Sequence, residues 1–208
     1  DTIAGTIEEA CDRNIIVVTF YNDVPGSKRR LFVGNDFIKV GRVGAEILCK
    51  LVGESGKIAV LSGLENNQIH KIKATSFVEK VKQDYPRVEV TGIYFNNYSQ
   101  EMAFKTCMNI IDKHPDIKGI AASCGGIAGI TEALKVHKLL GRVRVLLFDI
   151  APKAIELLQN REIDVIIDTD LQAQGYNAVK ALYDLTCERL EEGEITPAKI
   201  DIIVKESL

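Results

Sequence analysis

The 208-residue sequence contains no apolar run near the ~18 residues that a membrane-crossing helix needs. It has no block of one charge either. Its 26 basic and 29 acidic residues give a net charge of −3. No broad basic surface follows, which argues against nucleic-acid binding by this segment itself. The five cysteines, Cys11, Cys49, Cys107, Cys124 and Cys187, are widely spaced and include no C-x-x-C pair. That speaks against a zinc or disulfide-exchange motif. Unpaired, core-like thiols favour a reducing compartment, so a cytoplasmic protein is expected, with an exported or lipid-anchored one as the alternative. No G-x-x-x-x-G-K-[ST] phosphate loop is present. No histidine is placed to activate Cys124 as a nucleophile. With no nucleophile–base pair, metal cluster or nucleotide loop, the expectation is a protein that is not an enzyme and carries no cofactor or metal.

What is present is alternation. Short β-branched runs at 15–20, 31–33, 57–61, 88–94, 117–122, 143–148, 164–167 and 200–204 read as strands. Their continuous apolar character suits strands buried on both faces of a parallel sheet. Segments of helical period lie between them, at 2–13, 37–52, 69–85, 99–113, 126–140, 152–160 and 171–192. Ser99 is a candidate N-cap and Pro152 a first-turn proline. The pattern predicts an α/β fold with right-handed crossovers.

Polar residues gather where these strands end. Asn22-Asp23, Asn35-Asp36, Asn66-Asn67, Asn96-Asn97, Ser123 to Gly126, Asp149 and Asp168 to Asp170 all follow predicted strands. In parallel α/β sheets the ligand crevice lies outside the carboxyl ends. Amides and carboxylates there can both donate to and accept from vicinal hydroxyls, the chemistry a sugar requires.

Several stretches then resemble the effector-binding domain of the lac-repressor family and its relatives, the periplasmic sugar-binding proteins. Asn14-Ile-Ile-Val-Val-Thr-Phe20 is similar to the family's entry strand, with Asp23 just downstream. Lys57-Ile-Ala-Val-Leu-Ser-Gly63 resembles x-I-A-x-I-x-G, and the segment from His70 through Lys73 to Phe77 resembles H-x-x-R-x-x-G-F. Phe148-Asp149 and Gln174-Gly175-Tyr176 match later motifs. The stretch from Gly119 to Leu134, with Gly125, Gly126 and Gly129, is similar to a regulator subgroup.

The resemblance implies a periplasmic-binding-protein type I fold: two Rossmann-like lobes with parallel sheets, the first strand–helix–strand unit missing before Thr2. It implies an N-terminal lobe of 1–35 plus 171–193 and a C-terminal lobe of 36–170 plus 194–208. Chain crossovers are expected near Asn35-Asp36, from Asp149 to Asp170, and at 193–199. The implied function is closure of the lobes on a sugar-like effector by a homodimeric transcriptional regulator. DNA would be bound only through a separate N-terminal domain, and no membrane would be engaged. The rival readings are the substrate-binding protein of a sugar ABC transporter and a sensor module on a kinase. The implied ligand-binding residues are Asp23, His70, Lys73, Asn97, Cys124, Gly125, Asp149 and Asp170. The sequence departs from the family where Lys73 replaces the usual arginine and Cys124-Gly125 an Asn-Asp pair. Lys73 can donate to a hydroxyl but lacks the planar fork of arginine.

Overall fold

The structure is a computed structural model that describes residues 2–123, 125–189, 196–197 and 199–208. The chain divides into two compact units, one of Asp1–Asp36 with Thr169–Asp201 and one of Phe37–Asp168 with Ile202–Leu208.

The larger unit is a six-stranded sheet covered by helices on both faces. Its elements are α2 (Phe37–Leu51), β3 (Gly56–Ser62), α3 (Gln68–Asp84), β4 (Val88–Phe95), α4 (Gln100–Lys113), β5 (Ile117–Ser123), α5 (Ile127–Val136), β6 (Arg144–Phe148), α6 (Pro152–Gln159), β7 (Val165–Asp168) and β9 (Asp201–Ile203). The strand order is β4-β3-β5-β6-β7-β9. The pairs β3–β4, β3–β5, β5–β6 and β6–β7 are all parallel. Successive side chains point to opposite faces. Ala59, Leu61, Ile120, Ala122, Val145, Leu147 and Ile166 enter one core with Ile110 of α4, Ile130 and Leu134 of α5, and Leu157 of α6. On the other face a Cβ on Gly119 would meet Ile58 and Leu48, so that side packs against α2.

The smaller unit has α1 (Thr2–Asp12), β1 (Val18–Phe20), β2 (Leu31–Gly34), α7 (Leu171–Thr186) and β8 (Thr196–Pro197). Its sheet runs β1-β2-β8, with parallel pairs. Leu31 and Val33 pack against Ala178, Ala181 and Leu185 of α7.

Several helix ends differ from the sequence expectation, for one shared reason. The helix expected over 126–140 stops at Val136 because Lys138 turns left-handed at φ 56°. Its N–H bonds Lys135 O, and Leu139 N bonds Leu134 O. This paired pattern closes a helix and is normally built on glycine. Glu188 (φ 55°) closes α7 in the same way, with Arg189 N bonding Asp184 O, so α7 ends at Thr186 rather than 192; residues 190–192 lie outside the described set. At α1 the same turn falls where the sequence ends the helix: Asn14 (φ 61°) closes it, and Ile15 N bonds back to Ala10 O. That bond delays the first strand to Val18. The short β8 was not foreseen, and the crossover expected at 193–199 falls largely outside the described residues.

Candidate functional site

The larger sheet leaves β3 toward β4 on one side and toward β5 on the other. The chain therefore reverses direction at the β3/β5 boundary, the kind of switch point where a crevice opens at the carboxyl edge of a parallel sheet. The residues that follow β3, β4, β5 and β6 meet along that edge.

After β3, Ser62 and Gly63 lead toward α3, whose N-cap Asn67 accepts from His70 N at 3.2 Å. His70 is buried. Gly63 donates its backbone N–H to His70 Nδ1 at 3.1 Å, with Ser62 Oγ 3.4 Å from the same nitrogen. An Nδ1 that accepts leaves the ring proton on Nε2, which lies 3.1 Å from Tyr98 Oη. The ring is held neutral: burial, then the nearby Lys73 charge, lowers the His70 pKa to about 4.

After β4, Asn96 is buried. It donates through Nδ2 to Gly125 O at 2.9 Å and accepts Tyr98 N at 3.0 Å. It thereby fastens the β4 loop to the turn after β5. Asn97 (φ 49°) and Tyr98 (φ 59°) follow in consecutive left-handed conformations. Asparagine tolerates this region, whereas tyrosine there is strained. Such strain gathers at binding sites, where surrounding contacts hold it. Asn97 itself is exposed, with Nδ2 directed to Met102 Sδ at 3.7 Å. Tyr98 is part-exposed and stands edge-on to His70, ring centroids 5.5 Å apart. Tyr98 escaped the sequence reading; its signal was an aromatic next to the Asn-Asn pair that ends a strand.

After β5, Cys124 lies outside the described residues. Gly125 is exposed, and a Cβ there would come within 3.1 Å of Tyr98 O. After β6, Asp149 sits at φ 69° and accepts from Lys73 Nζ at 2.9 Å. It is not a helix cap, since α6 has Ala151 in that position. Lys73 is wholly buried and the Asp149 side chain 24% exposed. Beside them Asp168, at the end of β7, accepts Ile150 N at 3.3 Å. A cavity of about 280 Å3 opens here, lined by Gln100, Gly125, Gly126, Asp149, Ile150 and Lys153 among others.

Of the expected residues in the larger unit, Gly125 and Asp149 line the cavity, Lys73 pairs with Asp149 behind it, His70 is tied to Gly63 and Tyr98, and Asn97 directs its amide to Met102. The other two expected residues belong to the smaller unit. Asp23 is engaged within its own loop. It takes Arg29 at both oxygens, Val24 N at 2.8 Å and Thr19 Oγ1 at 3.1 Å. These contacts, with the Arg29 guanidinium foremost among them, outweigh partial burial and lower its pKa. Asp170 caps α7, accepting Ala173 N at 2.9 Å. In the same unit Asn35 Nδ2 and Gln174 Nε2 both donate to Thr169 O, at 2.9 and 2.6 Å. Among the described residues no group of three or more His, Cys, Asp or Glu could hold a metal ion. No described helix is long and apolar enough to cross a membrane.

An α/β chain with parallel sheets and a polar edge of this kind has the periplasmic-binding-protein type I architecture. Residues 1–189 match the periplasmic binding protein domain family, to which the chain belongs. A D-apiose import binding protein of Paraburkholderia graminis is 29% identical over 98 residues, covering 47% of this chain and 31% of that protein. Another of that description, from Actinobacillus succinogenes, is 28% identical over 138 residues, covering 65% and 44%. The matched stretches span under half of each relative's length. An ABC transporter solute-binding protein from Burkholderia graminis, solved with D-arabinose, superposes with a TM-score of 0.91 at 20% identity, covering 99% of this chain and 72% of that one.

These relatives overturn the transcriptional-regulator reading, since both curated ones are named as import proteins. The separate DNA-binding domain and the homodimer both lose the ground on which they were expected. The physical reason is visible at the glycines that suggested a regulator. A Cβ on Gly126 would lie 2.7 Å from Ala103 Cβ, and one on Gly129 would lie 2.1 Å from Gln100 O. They permit close packing of α5 on α4, a demand of the fold that is independent of DNA regulation.

Proposed function

We propose that this chain binds a neutral monosaccharide as the solute-binding protein of a sugar-uptake transporter, working outside the cytosol. The observation that carries the reading is the polar edge of the larger sheet. There the Asp149 carboxylate, Gln100 and the exposed Gly125 backbone line a cavity of sugar-compatible size, and Tyr98, held left-handed, packs beside Gly125. A carboxylate accepts from two adjacent hydroxyls, and an aromatic face covers the C–H side of a sugar ring. The import and sugar-complex names of the relatives favour the same reading.

Binding without turnover fits the ring of His70, whose two nitrogens face Gly63 N and Tyr98 Oη. A base engaged on both sides is poorly placed to move a substrate proton. Unpaired cysteines do not argue for the cytosol here, because Cys49 and Cys107 are core residues. Thermal-shift and calorimetric titration of the full protein against aldopentoses, aldohexoses, polyols and phosphosugars tests the proposal. Saturable binding of a neutral aldose is expected; a panel without any binder rejects it.

A further inference from the structure

Lys73 stands where the family's pattern has an arginine that the sequence reading gave a donor role toward ligand. Its environment points elsewhere. The residue is completely buried. Its ammonium lies 2.9 Å from Asp149 Oδ2, 5.3 Å from the centroid of the Phe148 ring and 6.0 Å from that of Phe37. Three elements build this enclosure. Phe148 ends β6, Phe37 opens α2, and Lys73 projects from α3. Gly41 lets α2 and α3 close up: a Cβ there would lie 2.4 Å from Lys73 O and 2.2 Å from Ser76 Oγ. An ammonium walled by two aromatic rings and a carboxylate has its charge met inside the protein. It has no surface left to offer a solute.

We propose that Lys73 is a positioning residue that acts through Asp149 and does not touch the ligand. It pins one carboxylate oxygen and so fixes the rotamer in which Asp149 faces the cavity. It also balances the carboxylate's charge within the protein. The ligand then meets an aimed acceptor whose counter-charge is already spent, and the other cation lining the cavity, Lys153, is paired with Glu156 at 2.6 Å. This selects neutral polyhydroxy compounds over sugar acids and sugar phosphates, whose charge would need an unspent cation. The inference rests on the sugar-binding reading of Asp149, and its test separates the two.

One arm needs no ligand. In the full protein with 15N-labelled lysine, Lys73 should give a slowly exchanging ammonium resonance that disappears in Lys73→Arg and shifts in Asp149→Asn. A Lys73 ammonium that exchanges as fast as surface lysines would overturn the enclosure, and with it the proposal. The second arm titrates the best neutral sugar. Lys73→Met should weaken binding by roughly tenfold or more, and Lys73→Arg should recover most of the loss. In an Asp149→Asn background, Lys73→Met should cost little further, because both changes remove one effect. Full additivity would mean that Lys73 contacts the ligand directly, and wild-type affinity in Lys73→Met would mean that it has no role; either rejects the proposal. If wild-type protein binds no sugar, the functional reading fails while the ammonium signal still decides whether the pair is built as described.

Discussion

Lys73 and Asp149, 76 positions apart in sequence, form an ion pair whose two ends differ in burial: the lysine is sealed, whereas the aspartate keeps 24% of its side chain exposed. The pair should therefore respond unequally to truncation. Asp149→Ala strands a cation away from water and should cost about 3–5 kcal/mol of stability. Lys73→Met leaves a carboxylate that water can partly reach, and should cost less than ~2 kcal/mol. Urea denaturation of both variants measures this. Equal losses would show that the lysine is hydrated in solution.

Stability should fall in mild acid through His70. Burial lowers its folded pKa from 6.5 to about 4. Between those values the unfolded chain binds the proton more tightly, so unfolding gains with every step down in pH. The contribution is fully present above pH 6.5 and is lost as pH falls toward 4, by at most about 3 kcal/mol. His70→Asn can still accept from Gly63 N–H, and should show a shallower stability-versus-pH curve than wild type over this range. Parallel curves would contradict the assignment.

Cys49 and Cys107 should be chemically silent in the folded protein. Burial pushes both thiols up to about 12, with Glu54 adding to the effect at Cys49. The thiolate is the reactive form. Among the four described cysteines, iodoacetamide at pH 8 should label exposed Cys187 first and half-buried Cys11 more slowly. Peptide mapping that finds Cys49 or Cys107 modified without denaturant would disprove the packing described.

Gly129→Ala should be badly tolerated. Its methyl would press on Gln100 O at 2.1 Å and Phe104 N at 2.9 Å, both backbone atoms of α4 that cannot swing aside. Overpacking of this kind costs ~1–3 kcal/mol, and the value here should sit at the upper end. An unchanged melting temperature would mean that α4 and α5 are further apart than described.

The strands were legible because runs such as Lys57-Ile-Ala-Val-Leu must be buried on both faces, and β3 buries Ile58 to Ser62. Ser99 was legible as a cap for the same kind of local reason, accepting Met102 N at 3.3 Å. The ends of α5 and α7 were hidden because Lys138 and Glu188 take a turn for which sequence reasoning looks to glycine. At the candidate site, residue types could be read at strand ends, but their engagement could not. The bond from Asn96 to Gly125 spans 29 positions and that from Lys73 to Asp149 spans 76. The choice between regulator and importer was illegible at Gly126 and Gly129, since close helix packing asks for the same glycines in either.

Isothermal titration of the full protein with neutral aldopentoses and aldohexoses, repeated on Asp149→Ala, tests the central claim most directly. The account predicts saturable one-site binding of at least one neutral aldose, abolished or weakened by a hundredfold or so in the variant, as losing a charge-assisted acceptor implies. Wild-type affinity retained in Asp149→Ala, or tighter binding of a phosphosugar than of any neutral aldose, would contradict it.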